Sequence, residues 1–142
     1  RVPIALLGKH TRRRGVLLAV DGAHGPGAFH LDFSELEDVD FYGGNLHKWM
    51  MGPKGTGFGW LPKRHRDKLR PVMAGWTTFE TPIPFQGFGG GDRHCARMLM
   101  AYCLDFANFF ALSDLIDWWR AQGPERIFQA LRENRNLIAN SG

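Results

Sequence analysis

One lysine stands out by its company. Gly43-Gly44-Asn45-Leu46-His47-Lys48-Trp49-Met50-Met51-Gly52-Pro53-Lys54-Gly55-Thr56-Gly57 sets Lys48 between a histidine and a tryptophan, on a loop punctuated by glycine. A lysine on a loop after a strand is in most proteins only a solvated charge. Here Trp49, Met50 and Met51 follow directly and give the side chain an apolar wall. Desolvation favours the neutral amine, the nucleophilic form that makes Schiff bases with carbonyl compounds. Lys54, beyond the Gly52-Pro53 break, reads as an ordinary surface or phosphate-facing charge.

A second group of polar residues lies upstream. Val16-Leu17-Leu18-Ala19-Val20 is a continuous apolar run that ends in Asp21-Gly22-Ala23-His24. Such a run reads as a buried parallel strand with a polar residue at its carboxyl end, where open α/β sheets collect their ligands. Asp21 there either caps the following turn or faces a ligand, and the sequence leaves both open.

Asp21-Gly22-Ala23-His24, then Asp40-Phe41-Tyr42, Asn45-Leu46-His47-Lys48-Trp49 and Gly52-Pro53-Lys54-Gly55-Thr56-Gly57 together resemble the class V aminotransferase family. Within that family the pattern is most similar to isopenicillin-N-epimerase-like members. The resemblance is strong over Val16 to Leu61 and weaker through Asp92 and beyond. It implies a fold type I enzyme that uses pyridoxal 5′-phosphate and acts on an amino acid, as a homodimer in the full-length protein. It makes Lys48 the catalytic lysine, bound to the cofactor as an internal aldimine. It pairs Asp21 with the pyridine nitrogen, where a carboxylate keeps the ring an electron sink. It sets His24 near the ring's phenolic oxygen, and Asn45 and His47 near the phosphate. A histidine packed beside tryptophan also fits a satisfied core residue, so His47 carries two readings. Transamination, racemisation or epimerisation, and β-elimination all remain open.

Gly89-Gly90-Gly91-Asp92 departs from the family pattern, because Gly90 stands where a threonine usually donates to the cofactor phosphate across the dimer. That departure favours the alternative, a non-catalytic relative serving as a structural or partner-binding module. Family members run to several hundred residues. The chain therefore reads as a fragment that turns over no amino acid alone.

The elements expected to position these residues are α/β: part of a mostly parallel sheet with one antiparallel strand, followed by helices. Residues 1–92 are expected to form part of the cofactor-binding large domain, with the lysine loop at 43–57. Residues 93–142 read as a helical segment leading toward a C-terminal domain. Pro3 to Arg14 reads as a short helix with Ile4, Leu7 and His10 inward and Gly15 just past its end. Phe29 to Asp40 is a connector holding a short helical segment capped by Asp32 or Ser34. Asp38 to Tyr42 re-enters the sheet, and the short link to Gly57–Leu61 makes that strand antiparallel.

Lys63 to Arg70 reads as a short solvated helix stopped by Pro71. In the loop from Val72 to Asp92, Trp76, Thr77 and Thr78 are candidates for contacts at an active site. Arg93 to Ala111 has the three- and four-residue apolar steps of a helix buried on most sides. Ser113 is expected to cap a second helix through Gln122. Pro124 opens a third, with Ile127, Phe128, Leu131 and Ile138 on its inner face.

Composition narrows the alternatives. The 142 residues, 44% hydrophobic and 13% aromatic, suffice for one domain with a real core. The net charge of +4 is spread over helix ends and one basic segment, without the aromatic interleaving of a nucleic-acid surface. No run approaches the roughly 20 apolar residues of a membrane span, and the first residues, Arg1-Val2-Pro3, do not open the extended apolar region of a secretory signal, so a cytoplasmic protein is the expectation. Cys95 and Cys103 sit about 12 Å apart along one expected helix, too far for a disulfide. They read as reduced core residues, which argues against a desulfurase with a mobile catalytic thiol. No metal-ligand spacing occurs among the histidines and cysteines.

Overall fold

A computed structural model describes residues 2–66, 68–70, 72, 98 and 105–141. The chain divides into two compact units, Arg1–Pro62 with Phe106–Gly142, and Lys63–Asp105. In the second unit, α2 (Lys63–Arg66) covers only the first half of the basic helix expected to run to Arg70, and residues 68–70 are not helical. The expectations for Trp76, Thr77, Thr78, Gly89 to Asp92, Cys95 and Cys103 fall outside the described residues.

The first unit is built on three strands, β1 (Ala19–Asp21), β2 (Phe41–Asn45) and β3 (Gly57–Trp60), in the order β1-β2-β3. β1 runs parallel to β2 with Asp21 opposite Gly43, and β3 runs antiparallel to β2 with Gly57 opposite Asn45. This is the mixed α/β sheet that the link lengths require. A parallel return needs a long crossover, supplied by residues 22–40, whereas 46–56 suffice for an antiparallel one.

Side chains alternate across a strand, so the two faces differ sharply. Val20, Tyr42, Phe58 and Trp60 face the core, where Leu36, Val39 and Tyr42 are buried with Ile4, Ala5, Leu31 and Phe33 around them. Phe33 organises the aromatic part. Its ring stacks on Trp60 at 5.1 Å and meets Tyr42 and Phe58 edge-on at 5.4 and 5.8 Å. The opposite face carries Ala19, Asp21, Gly43, Asn45, Gly57 and Gly59, with the Phe41 ring beside the two glycines 43 and 59.

The strand expected from Val16 is shorter and less buried than its apolar run suggests. Val16 and Leu17 are 53% and 74% exposed, and pairing starts at Ala19. Leu18 is held by Asp40 instead: its N–H donates to Asp40 Oδ2 at 2.8 Å, and its carbonyl accepts from Asp40 and Phe41. β1 pairs with β2 alone among the described residues.

Helix α1 (Ile4–Arg12) packs on a different stripe from the one expected. Ile4 and Ala5 point inward and Gly8 is buried, while Leu7 and His10 are exposed. The reason is contact distance. A Cβ at Gly8 would lie 3.1 Å from the Asp38 carbonyl carbon, so the helix approaches the core along its smallest side chain. Gly15 does take the left-handed conformation, with φ +68°.

Helix α3 (Ala107–Gln122) runs through Ser113 without a break, which corrects the expected cap there. No glycine or proline interrupts 107–122, and the non-helical pair Asp105-Phe106 marks the boundary instead. The expected helix from Arg93 to Ala111 is therefore not continuous. Gly123, with φ +74°, turns the chain into α4 (Pro124–Ala139), where Pro124 holds the expected first-turn position. Phe128 is buried beside Trp119, their centroids 6.3 Å apart. The inner face ends at half-buried Leu131. Ile138 is 76% exposed, because α4 outruns its described packing partners.

The connector closes as a 3₁₀ turn, Phe33–Leu36, capped by Asp32. Asp32 Oδ1 accepts from the Ser34 hydroxyl at 2.6 Å and from the Ser34 N–H at 2.8 Å. The Ser34 hydroxyl bond, then the backbone bond, hold the carboxyl below its ordinary value of 3.8. A depressed carboxyl stabilises the fold fully above the unfolded value and loses that contribution as pH falls through the folded one. Asp32→Asn keeps an acceptor but removes the titration. Its denaturation midpoint should therefore gain on the parent's as pH drops below 3.8, as urea titrations across the acid range will show.

Candidate active site

The carboxyl end of β1 is shaped by Tyr42. Its ring occupies the space where a Cβ on Gly22 would fall, its hydroxyl oxygen the space of a Cβ on Gly25, and that hydroxyl donates to the Gly22 carbonyl at 3.3 Å. Gly22 extends the ladder by donating to Gly43 O at 2.8 Å, and Gly25 folds back onto Gly22 O. Asp21 and His24 are thereby presented at the end of the sheet. Asp21 Oδ1 accepts from the Ala23 N–H at 3.0 Å, so the residue does cap its own turn. Its other carboxylate oxygen makes no hydrogen bond among the described residues.

The lysine turn is built between β2 and β3. Leu46 N–H donates to Thr56 O, Met51 N–H to Lys48 O at 2.9 Å, and Gly52 N–H to Leu46 O at 2.7 Å. Thr56 is buried, with its hydroxyl on Pro53 O at 2.6 Å. Met51 has φ +61°, the one non-glycine residue with positive φ among those described. Helix α3 braces the same turn. Trp119 Nε1 donates to Met50 O at 2.8 Å, Asn108 Nδ2 donates to Lys54 O at 3.1 Å, and Leu115 packs against Gly52.

The two loops meet at Lys48 and His24, with Nζ 3.0 Å from Nε2. An ammonium only donates, so when Lys48 is protonated His24 accepts at Nε2 and carries its own proton on Nδ1. His47 turns the other way. Its Nδ1 lies 3.1 Å from Thr56 O, and a carbonyl only accepts, so that nitrogen bears the proton. The satisfied-histidine reading of His47 is thus met, while its Nε2 stays available.

Lys48 and His24 line a cavity of about 520 Å³ with Trp49, Met51, Ile127 and Leu131. Asp21 and Asn45 line a separate groove of about 560 Å³ on the glycine-rich face of the sheet. The structure therefore joins the amine to one imidazole, and the carboxylate to the amide-bearing strand end. The apolar wall beside Lys48 is present, although Trp49 and Met51 are 48% and 57% exposed. The bracing by Trp119 and Asn108 has no sequence signal. Helical spacing shows that an indole is on a helix, not which loop carbonyl it reaches. Among the described residues no three His, Cys, Asp or Glu side chains gather as metal ligands, and no helix is long and apolar enough to cross a membrane.

A mixed sheet with a lysine–imidazole contact beyond the carboxyl end of its parallel strand defines an α/β protein. The chain belongs to the aminotransferase class-V family, a pyridoxal-phosphate family, which it matches over residues 1–139. It is 33% identical to isopenicillin N epimerase of Streptomyces clavuligerus, across 98% of this chain and 37% of that protein. The isopenicillin N epimerase of Amycolatopsis lactamdurans is also 33% identical, over 93% of this chain and 34% of its own length. Among solved structures, the cystine C–S lyase C-DES in complex with its product cysteine persulfide superposes with a TM-score of 0.74 at 28% identity, over 91% of this chain and 34% of that one. A Lys→Ala variant of C-DES holds glycine covalently linked to its pyridoxal-phosphate cofactor. The chain spans about a third of the length of the curated epimerases it matches.

The meeting of the two loops depends on Gly27. It has φ +79°, and a Cβ there would lie 2.5 Å from Met50 N and Trp49 C, both backbone atoms. Gly55 has φ +81°, but a Cβ there would meet nothing within 4 Å. Gly55→Ala should cost about 1–2 kcal/mol, the left-handed penalty alone. Gly27→Ala should cost about 1–3 kcal/mol more, the added overpacking. Denaturant midpoints of the two variants measure the difference.

Proposed function

We propose that this chain is the lysine-bearing part of a pyridoxal-phosphate enzyme that moves a proton at the α-carbon of an amino acid. The observation that carries this reading is the Nζ–Nε2 contact of 3.0 Å between Lys48 and His24, beside the Asp21 end of a parallel strand. The donor types match the cofactor's groups, divided between the cavity of Lys48 and His24 and the groove of Asp21 and Asn45. Lys48 is an amine for its aldehyde, Asp21 has a carboxylate oxygen left for the pyridine nitrogen, and His24 is an imidazole for the phenolic oxygen. Asn45 and His47, with Nε2 unspent, are polar groups for the phosphate. When bound, pyridoxal phosphate supplies an electron sink next to the substrate's α-carbon.

The residues of the chain have distinct work. Lys48 takes the α-proton onto Nζ and returns it, and His24 holds that amine in place through Nε2. Asp21 would offer the ring nitrogen of the cofactor the carboxylate oxygen that its own turn leaves unused. Trp49 and Met51, half-exposed themselves, line the cavity beside Lys48. Protonation by a second acid on the face opposite Lys48 would give epimerisation, the activity named for two relatives that align with nearly the whole chain. Loss of a β-substituent after the same first step gives elimination, in keeping with the C–S lyase likeness. In the longer protein we place this site in a cytoplasmic homodimer.

The test is covalent. Incubation with pyridoxal phosphate, borohydride reduction and peptide mass spectrometry should find pyridoxyl on the Lys48 peptide. Lys48→Ala should remove it. Adducts spread equally over Lys9, Lys54 and Lys63 would overturn the assignment.

A further inference from the structure

We propose that Trp119 is a positioning residue for Lys48, acting through the Met50 carbonyl that it holds. The inference rests on the reading of Lys48 as the cofactor amine. Its basis is the peptide plane between Met50 and Met51. Rotation of that plane changes ψ of Met50 and φ of Met51 together, and Met51 stands at φ +61°. A non-glycine residue persists in the left-handed region only where its surroundings over-determine it.

Inside the turn, the Met51 N–H, which lies in that plane opposite the carbonyl, donates to Lys48 O, and the Gly52 N–H just beyond it donates to Leu46 O. The oxygen of the plane itself is fixed from outside, by the Trp119 indole N–H at 2.8 Å. The indole is a rigid donor. Trp119 is 4% exposed, meets Trp118 edge-on at 5.9 Å, and has Phe128 at 6.3 Å. Gly52 lets the helix come this close, since a Cβ there would lie 3.1 Å from Leu115 Cδ2. Only Trp49 separates Met50 from Lys48 in the chain, and the turn is closed by the Lys48 carbonyl. The direction of Nζ toward His24 therefore depends on a hydrogen bond made by a helix 69 residues downstream of Met50.

Trp119→Phe keeps an aromatic ring in the cluster and removes the donor. The readout is the ratio of pyridoxyl on Lys48 to pyridoxyl on Lys54 after reduction, with Lys54 as the solvent-exposed control in the same chain. The ratio should fall about fivefold, the range of one net hydrogen bond. Adding Met51→Gly should restore most of it, because glycine takes positive φ without a braced carbonyl. A purely structural loss at position 119 would not be restored by a change in the turn.

An unchanged ratio in Trp119→Phe, or no restoration by Met51→Gly, would overturn the positioning role. Failure of Lys48 to label in the parent chain would instead overturn the cofactor assignment on which it rests. Should Trp119→Phe not fold, Met51→Val tests the same coupling from the other end. A β-branched residue resists positive φ and must lower the ratio with Trp119 intact; no change there also overturns the proposal.

Discussion

The space left by three missing side chains governs this site. Gly22 and Gly25 make room for the Tyr42 ring and hydroxyl beneath the crossover from β1 to β2, and Gly27 lets the same loop touch the backbone of Trp49 and Met50. With a Cβ at any of these positions, the loop carrying His24 would be held away from the turn carrying Lys48. The approach is steric before it is electrostatic. A lysine and an imidazole attract weakly at best, so contact at 3.0 Å has to be imposed by the backbone. Tyr42, nearly fully buried, transmits that constraint from the core to the site.

Much of this was legible from residue types, because strands and turns announce themselves locally. Asp21-Gly22 marked a strand's carboxyl end, the short span to Gly57 dictated an antiparallel return, and Asp32 with Ser34 announced a cap. Lys48 and His24 are assigned to one cofactor only through the resemblance to a family, and their direct contact is a finding of the structure. No spacing rule brings residues 24 and 48 together. The inward stripe of α1 was misplaced because hydrophobicity favoured Leu7, whereas the distance to Asp38 favoured Gly8. Ser113 resembled a cap by type alone, and nothing nearby stops a helix. The exposure of Val16 and Leu17 follows from strand neighbours, a property of the sheet and not of the run.

The two roles open to Asp21, and the two open to His47, are compatible. Asp21 spends one oxygen on its own turn and keeps the other, while His47 spends Nδ1 on Thr56 and keeps Nε2. A structural bond that uses half of a bifunctional group orients the remaining half. Asp32 shows the contrasting case, with a single oxygen taking both bonds from Ser34 to close a turn remote from the lysine.

The sheet's connectivity separates the two partners in folding order. Lys48 belongs to a local hairpin, closed by residues 46–56, whereas His24 arrives on the longer crossover that joins β1 to β2. Loop closure costs less entropy the shorter the span. The amine's turn can thus take shape within its own hairpin, and the imidazole is added when the non-local parallel pairing completes. Changes at Ala23 or His24 then alter what stands beside the lysine, whereas Gly22, Gly25 and Gly27 leave the crossover no room for a side chain.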